Sequence, residues 1–394
     1  MSTTPVRSRE AVVTGYAAVT PFGDTDATWD ALLRGDCAAR AWPDLEAEGF
    51  PVATACRVTH VPVADPRRRG RDLAARACAL ALAHATLDLE AVAPQRRGVF
   101  VGTTMGESAA FELAALDPVA PFAVADAGGQ AIGRHLATLV GADGPVRTFG
   151  TACAAGSYAL GAAADAVRSG RVDVAVAGGA EPFSRIALLG FARMRAMTPD
   201  LCRPFVAGRR GMQLGEGAAL LVVESLEHAR DRGARVLARV GALGLASDAH
   251  HPTSPRPDGS GMASAMRRAL RHGDVDPAQV GWVSAHGTGT AQSDAAEALA
   301  LRDVFGAGRA PVSSIKGAIG HGMGAASAIE SVVGVRALER GVLPPNVNGE
   351  QPDELLGLDV VTVARPADPR WVLNCAYAFG GLCSALLLGR PGEE

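Results

Sequence analysis

Of the seven cysteines in this chain, Cys153 is set apart by its surroundings. It lies in VRTFGTACAAGSYALGAAADAVRSG (residues 146–170), where an extended segment turns through small residues into an Ala- and Gly-rich helix expected over 155–168. That spacing puts the thiol at a helix start, where unpaired N–H groups and the positive end of the dipole stabilise a thiolate. The helix is apolar nearly all round and is expected to be buried. A thiol nucleophile needs a base, and a carbonyl substrate needs donors aimed at its developing oxyanion.

Nine histidines are available as bases, and only His286 and His321 sit in glycine-dense loops straight after apolar strands. Such loops on a rigid scaffold are where catalytic residues concentrate. Lys316 precedes His321 by five residues, and Glu330 follows Lys316 by fourteen. A buried pair of these two would hold His321 in place; the alternative is two surface charges. The stretch AHGTGT sets Thr288 and Thr290 beside His286, suited to hydrogen-bonding the amides of an extended ligand. Phe379-Gly380-Gly381 offers a backbone able to approach a substrate closely, and an N–H there with that of Cys153 would make an oxyanion hole. Neither glycine loop has the spacing of a phosphate-binding motif, and no residue set points to a metal. The remaining cysteines (37, 56, 78, 202, 375 and 383) are scattered without a CxxC pair, which argues against a disulfide framework or zinc site and for a reducing cytoplasm.

The elements that must hold these groups alternate along the chain. Continuous apolar strands are expected at 11–14, 98–102, 172–179, 218–224, 235–247, 280–285, 312–314, 360–363, 371–376 and 384–389. Helices are expected near 28–34, 73–87, 129–140, 226–232, 294–305 and after the glycine turn at 320. Strands without polar alternation favour an α/β architecture with both sheet faces covered. The second half echoes the first, which suggests an internal duplication: one half over 8–234 carrying the nucleophile, the other over 235–394 carrying both histidines. No linker of disordered composition separates them, so one compact unit is expected.

Composition agrees. The 394 residues exceed the ~250–300 at which single cores stop growing. With 47 glycines and only 5% aromatics, small residues must do the close packing. A net charge of −3 gives no case for nucleic-acid binding, and no apolar run approaches the ~20 residues of a membrane span. The first residues, MSTTPVRSREAVVTG, lack the hydrophobic region of a signal peptide. Arg67-Arg68-Arg69-Gly70-Arg71 is a basic cluster ahead of a helix, read either as a solvated helix start or as a docking site for an acidic partner.

The motifs TACAAGS, HGTGT, KGAIGHGMGAA and AFGG, in that order, resemble the β-ketoacyl-acyl carrier protein synthases, closest to the type II fatty-acid and polyketide ketosynthases. AVVTGYAAVTPFG, AVAGGAEPFS, GEGAALLVVESLEHARDRGA and SDAHHPTSP extend the likeness over nearly the whole chain. The resemblance implies a thiolase-like α/β fold, two duplicated halves in a five-layer α/β/α/β/α arrangement, assembled as a homodimer or as a heterodimer with a ketosynthase-like partner. It implies that Cys153 receives the acyl chain as a thioester. His286 and His321 would promote malonyl decarboxylation and stabilise enolate and oxyanion, with Lys316 and Glu330 as their supporting pair. Thr288 and Thr290 would hold the phosphopantetheine arm of an acyl carrier protein, and Phe379 would gate the site and lend its N–H to the oxyanion hole. No redox cofactor or metal is implied. The carrier would dock on a basic surface, for which Arg67, Arg68, Arg69, Arg209 and Arg210 are the candidates.

The chain also departs from the family pattern. Val206 and Arg210 stand where aspartates are usual, Ala378 replaces a glycine, Leu382-Cys383 replaces a small or polar residue and Asn, and residues 106–147 are fewer than is typical. These changes bear on gating, chain length and acceptor. Three other readings therefore stay open: acyl transfer without decarboxylation, a non-catalytic chain-length partner, which would lack the nucleophile, and a coenzyme A thiolase, for which Cys375 and Cys383 would have to be more than packing residues.

Overall fold

The computed structural model describes residues 9–116 and 124–392, so residues 117–123 of the shortened 106–147 stretch lie outside the described residues. Five strands build the first half: β1 (Ala11–Val19), β2 (Arg97–Gly102), β3 (Val146–Phe149), β4 (Val174–Glu181) and β5 (Gly217–Ser225). Five more, flanked by the two-residue edge strand Asp359–Val360 beyond β8, build the second: β6 (Ala238–Ser247), β7 (Val280–Ser284), β8 (Pro311–Ser313), β9 (Trp371–Ala378) and β10 (Leu382–Gly389). Their spatial orders are β1-β5-β4-β2-β3 and β6-β10-β9-β7-β8, the same permutation of chain order. The strand directions agree as well: two antiparallel pairings, then two parallel ones, in each half.

The helices repeat too. In the first half α1 (Arg69–Ala85), α2 (Gln130–Val140) and α3 (Ala155–Arg168) follow the first three strands; in the second α4 (Ser260–Gly273), α5 (Ala291–Phe305) and α6 (Met323–Arg340) do the same. The duplication suggested by the echo of motifs is therefore present in the topology. Antiparallel pairing of β1 with β6, through Val12↔Arg239 and Val13↔Ala238, joins both halves into one sheet. The division expected at 234/235 falls between β5 and β6.

Strand alternation explains the continuous apolar segments. Ala219, Leu221 and Val223 of β5 face the central core, whereas Ala218, Leu220 and Val222 face an outer one. On β10, Leu386 and Leu388 point inward while Ala385 and Leu387 join the second outer core. With both faces buried, both strands are mainly apolar, and their buried polar side chains are matched: Glu224 accepts from Arg232 and Ser384 donates to the Ala376 carbonyl. α3 and α6 pack against strands of both halves and against each other, α1 and α2 cover the outside of the first half, and α4 and α5 that of the second. This is the five-layer α/β/α/β/α arrangement. Small residues make the central layer thin: a Cβ on Gly156 of α3 would lie 2.7 Å from the backbone nitrogen of Ala328 on α6.

Two expectations need correction. The strand expected at 360–363 is only Asp359–Val360, and Val363 is exposed, because the pairing with β8 ends there. The helix expected from 73 begins at Arg69, so Arg69 and Arg71 of the basic cluster lie in its first turn, while Arg67 and Arg68 lie in the 3₁₀ turn Pro66–Arg68 just before it.

Candidate active site

The chemistry-bearing loops gather at the C-terminal ends of the parallel strands, where α/β sheets open their crevices. Cys153 sits between β3 and α3 on a single 3₁₀ turn, Ala152–Ala154. Ala152 takes a left-handed φ of 48°, costly for a residue with a Cβ, at the sharp turn that presents the thiol. His321 sits between β8 and α6, the same place in the second repeat. The offset is constant: α6 starts 168 residues after α3, and His321 lies 168 residues after Cys153. Its Nε2 is 3.0 Å from Cys153 Sγ. His286 follows β7, with its ring edge-on to His321 at a centroid distance of 5.4 Å and to Tyr377 at 5.7 Å. A cavity of about 360 Å³ is lined by Cys153, His286, His321, Thr288, Thr290 and Phe379.

The resting site is uncharged at its centre. Burial pushes the Cys153 thiol up to about 12, against the opposing pull of Lys316 and of its own backbone N–H. Burial thus opposes the thiolate that a helix start favours. Burial and the Lys316 charge hold both His286 and His321 well below the usual imidazole range, so both are neutral. Lys316 Nζ donates to the carbonyl oxygen of His286 at 2.6 Å and to the Glu330 carboxylate. The pair is buried as expected, but it holds the His286 loop and not His321 directly. His321 is fixed through its backbone: its N–H donates to Gln213 and its carbonyl accepts from Gly215.

Thr288 and Thr290 flank the cavity with hydroxyls 3.0 Å apart. Phe379 is partly exposed at the mouth, its ring 5.6 Å from that of Phe191. Gly381 lines the cavity and Gly380 does not. The amides of both are already engaged, Gly380 with the Pro252 carbonyl and Gly381 with that of Ala378, so neither donates to a ligand. Cys375 is fully buried in the outer core, and Cys383, also buried, borders the cavity.

The arginines proposed for docking do not form one surface. Arg69 is buried, bound to Glu216 at 2.7 Å and to the carbonyls of Val61 and Val58. Arg209 is largely covered between Asp353 and Asp294. Both are structural, because a buried guanidinium must be matched. Arg67 and Arg68 are exposed beside Asp65, away from the cavity lining. Of the five, only Arg210 is both exposed and at the cavity wall, paired with Asp200. Arg195 lies on the same wall. Val206 is buried and bridges to Pro352, so the site that usually carries an aspartate is here apolar packing.

Sequence reasoning missed the buried carboxylates. Glu297 accepts the amides of His286 and Gly287, both at 2.8 Å, and burial pushes it up to about 8. Asp294, raised to about 6 by burial, accepts from Gly289 and Phe205. Two acids three residues apart amid the buried alanines of α5 were the available signal. Among the described residues no group of three or more His, Cys, Asp or Glu is placed to hold a metal, and no helix is long and apolar enough to cross a membrane.

A duplicated five-layer α/β/α/β/α chain with a Cys–His pair at matching helix starts and a second histidine beside it defines a thiolase-fold protein built for thioester chemistry. The chain belongs to the β-ketoacyl synthase family: residues 8–229 match the family's N-terminal domain and 237–350 its C-terminal domain. It is 35% identical to the 3-oxoacyl-[acyl-carrier-protein] synthase 2 of Rhizobium meliloti (strain 1021), over 97% of this chain and 99% of that one. Among solved structures it resembles the ishigamide ketosynthase/chain length factor (TM-score 0.90, 37% identity, 98% of this chain and 100% of that one). It also resembles AntDE:AntF, a type II PKS acyl-carrier protein in complex with its ketosynthase bound to the hexaketide (TM-score 0.91, 28% identity, 98% and 100% covered).

Proposed function

We propose that this chain is an acyltransferase of the ketosynthase type that joins an acyl group to a malonyl unit held on an acyl carrier protein. Its likeness to the ishigamide and AntDE:AntF ketosynthases favours type II polyketide synthesis over fatty-acid synthesis. The observation that carries the reading is the 3.0 Å contact between Cys153 Sγ and His321 Nε2 with His286 in the same cavity. In the first step Cys153 sulfur attacks an acyl thioester; its proton leaves toward His321 and passes to the departing carrier thiol. In the second, malonyl-carrier loses carbon dioxide, and its enolate carbon attacks the Cys153 thioester. The products are 3-oxoacyl-carrier, carbon dioxide and, after uptake of one proton, the free Cys153 thiol. Neutral imidazoles at 286 and 321 donate to the enolate oxygen without first protonating its carbon. The N–H groups of Cys153 and Phe379 serve the oxyanion, and Thr288 and Thr290 the pantetheine amides. The balance requires no oxidant, so no redox cofactor is assigned.

The partners follow from the same reading: an acyl carrier protein whose acidic face meets Arg195 and Arg210, and a second ketosynthase-type subunit. Intact-mass analysis tests the chemistry. Protein offered acyl-loaded carriers gains the acyl mass on Cys153, and malonyl-carrier then discharges it with release of carbon dioxide and 3-oxoacyl product. An acyl adduct that is passed on without carbon dioxide release would establish simple acyl transfer instead.

A further inference from the structure

Outside the Cys–His–His set, one fully buried carboxylate ties together the segments that carry the reacting groups. Glu181 ends β4, and each of its oxygens takes two donors. Oε1 accepts from Met105 N–H at 2.8 Å and from Thr103 Oγ1 at 3.2 Å; Oε2 accepts from Thr104 N–H at 2.6 Å and Gly324 N–H at 2.8 Å. No cation pairs with it among the described residues. Three donors belong to the loop after β2 in the first repeat. The fourth belongs to the first turn of α6, three residues beyond His321. The packing here leaves no slack: a Cβ on Gly324 would come within 2.6 Å of the Thr103 and Thr104 backbone.

We infer that Glu181 is a positioning residue, a clamp that sets the start of α6, and hence His321 Nε2, against the Cys153 thiol across the boundary between the repeats. His321 lies between two fixed points. Its own backbone is held by Gln213 and Gly215, and the chain just beyond is held by Glu181. Met323, between His321 and Gly324, has a left-handed φ of 40°, so the turn is held in a conformation it would not keep unsupported. A carboxylate suits the role because all four partners are donors. The isosteric amide of Gln turns one oxygen into a donor that faces an N–H whichever way it is placed. The inference rests on the ketosynthase reading for its catalytic consequence, but not for its geometry.

A double-mutant cycle tests it. Glu181→Gln is expected to lower condensation kcat with hexanoyl- and malonyl-loaded acyl carrier protein on the order of 100-fold, the cost of a misplaced catalytic group, with KM within about threefold. In a His321→Ala background the same substitution is expected to change the residual rate less than about threefold, while the Tm shift is equal in both backgrounds. Equal losses in the two backgrounds would show a structural role alone and overturn the inference, as would a Glu181→Gln enzyme with kcat within about threefold of the parent. The same cycle read as the rate of Cys153 alkylation by iodoacetamide needs no carrier. If the parent enzyme fails to condense, the ketosynthase reading falls, and alkylation still decides the clamp: non-additive rates uphold it and additive rates overturn it.

Discussion

The two repeats share a topology and divide the chemistry unequally. At the start of α3 the first repeat places a thiol, and at the start of α6 the second places an imidazole, 168 residues on. Applying the same offset to Lys316 and Glu330 lands on Thr148 and Ala162, so the ion pair that braces the second repeat has no counterpart in the first. The loop after β2 is held by Glu181 from a strand end, whereas the loop after β7 is held by Glu297 from a helix. Duplication supplied two like crevices facing each other, and divergence gave one a thiol and the other an imidazole. A single copy could not have placed both groups 3.0 Å apart, since each stands at the same point of its own half.

The largest break in this asymmetry comes from the nucleophile. Cys153→Ala is expected to lower turnover on the order of 10⁴-fold or more and to abolish the acyl adduct, read by intact mass. An adduct on the Cys153→Ala protein would remove the thiol from its assigned role. Next comes the brace peculiar to the second repeat. Lys316→Met leaves Glu330 buried without its cation and is expected to cost about 3–5 kcal/mol in urea unfolding, most of it recovered when Glu330 is also made apolar. Failure of the double variant to recover would mean that the Lys316–His286 carbonyl bond dominates.

A smaller effect distinguishes the loop held by Glu297. Its folded value of about 8 lies above the ordinary 4.5, so between these pH values the folded state keeps a proton that the unfolded chain has released. That contribution to stability is full below pH 4.5 and is lost as pH rises through about 8. Glu297→Gln should remove from the stability–pH curve a downward slope of up to about 1.4 kcal/mol per pH unit, measured by chemical unfolding from about pH 5 to 9. An unchanged slope would place the proton elsewhere. The smallest effect concerns the surface. Arg210→Glu is expected to raise KM for acyl carrier protein about tenfold, as loss of ~1.4 kcal/mol would, whereas Arg67→Glu with Arg68→Glu changes it less than about threefold. The reverse ranking would return docking to the 3₁₀ turn Pro66–Arg68 ahead of α1.

Much of this was legible in residues. Continuous apolar runs located the strands because both faces of the sheet are buried, and Cys153, His286 and His321 were marked by small-residue loops after those strands. The line stops at charge. RRRGR read as a single basic cluster, yet Arg69 turns under the helix to meet Glu216, 147 residues away, while Arg67 and Arg68 stay outside. No local pattern separates them, because burial of one side chain is decided by a distant partner. Glu181 and Glu297 were hidden for the same reason: their donors are chiefly backbone N–H groups, which every residue but proline carries. Lys316 was found but given the wrong histidine, since spacing in sequence favours His321 and the fold brings its amine to the carbonyl of His286.

The thin central layer has a consequence for how such an enzyme diversifies. Where α3 and α6 meet, even an added methyl group on Gly156 would collide with backbone, so the contact between these two helices is closed to gain of volume. Gly150, three residues before Cys153, and Gly190, next to the Phe191 whose ring meets Phe379, have no atom within 4 Å of the place a Cβ would occupy. Substitutions with larger side chains are thereby better accommodated at positions such as these two than between α3 and α6, where the backbone contact fixes the spacing of the two helix starts.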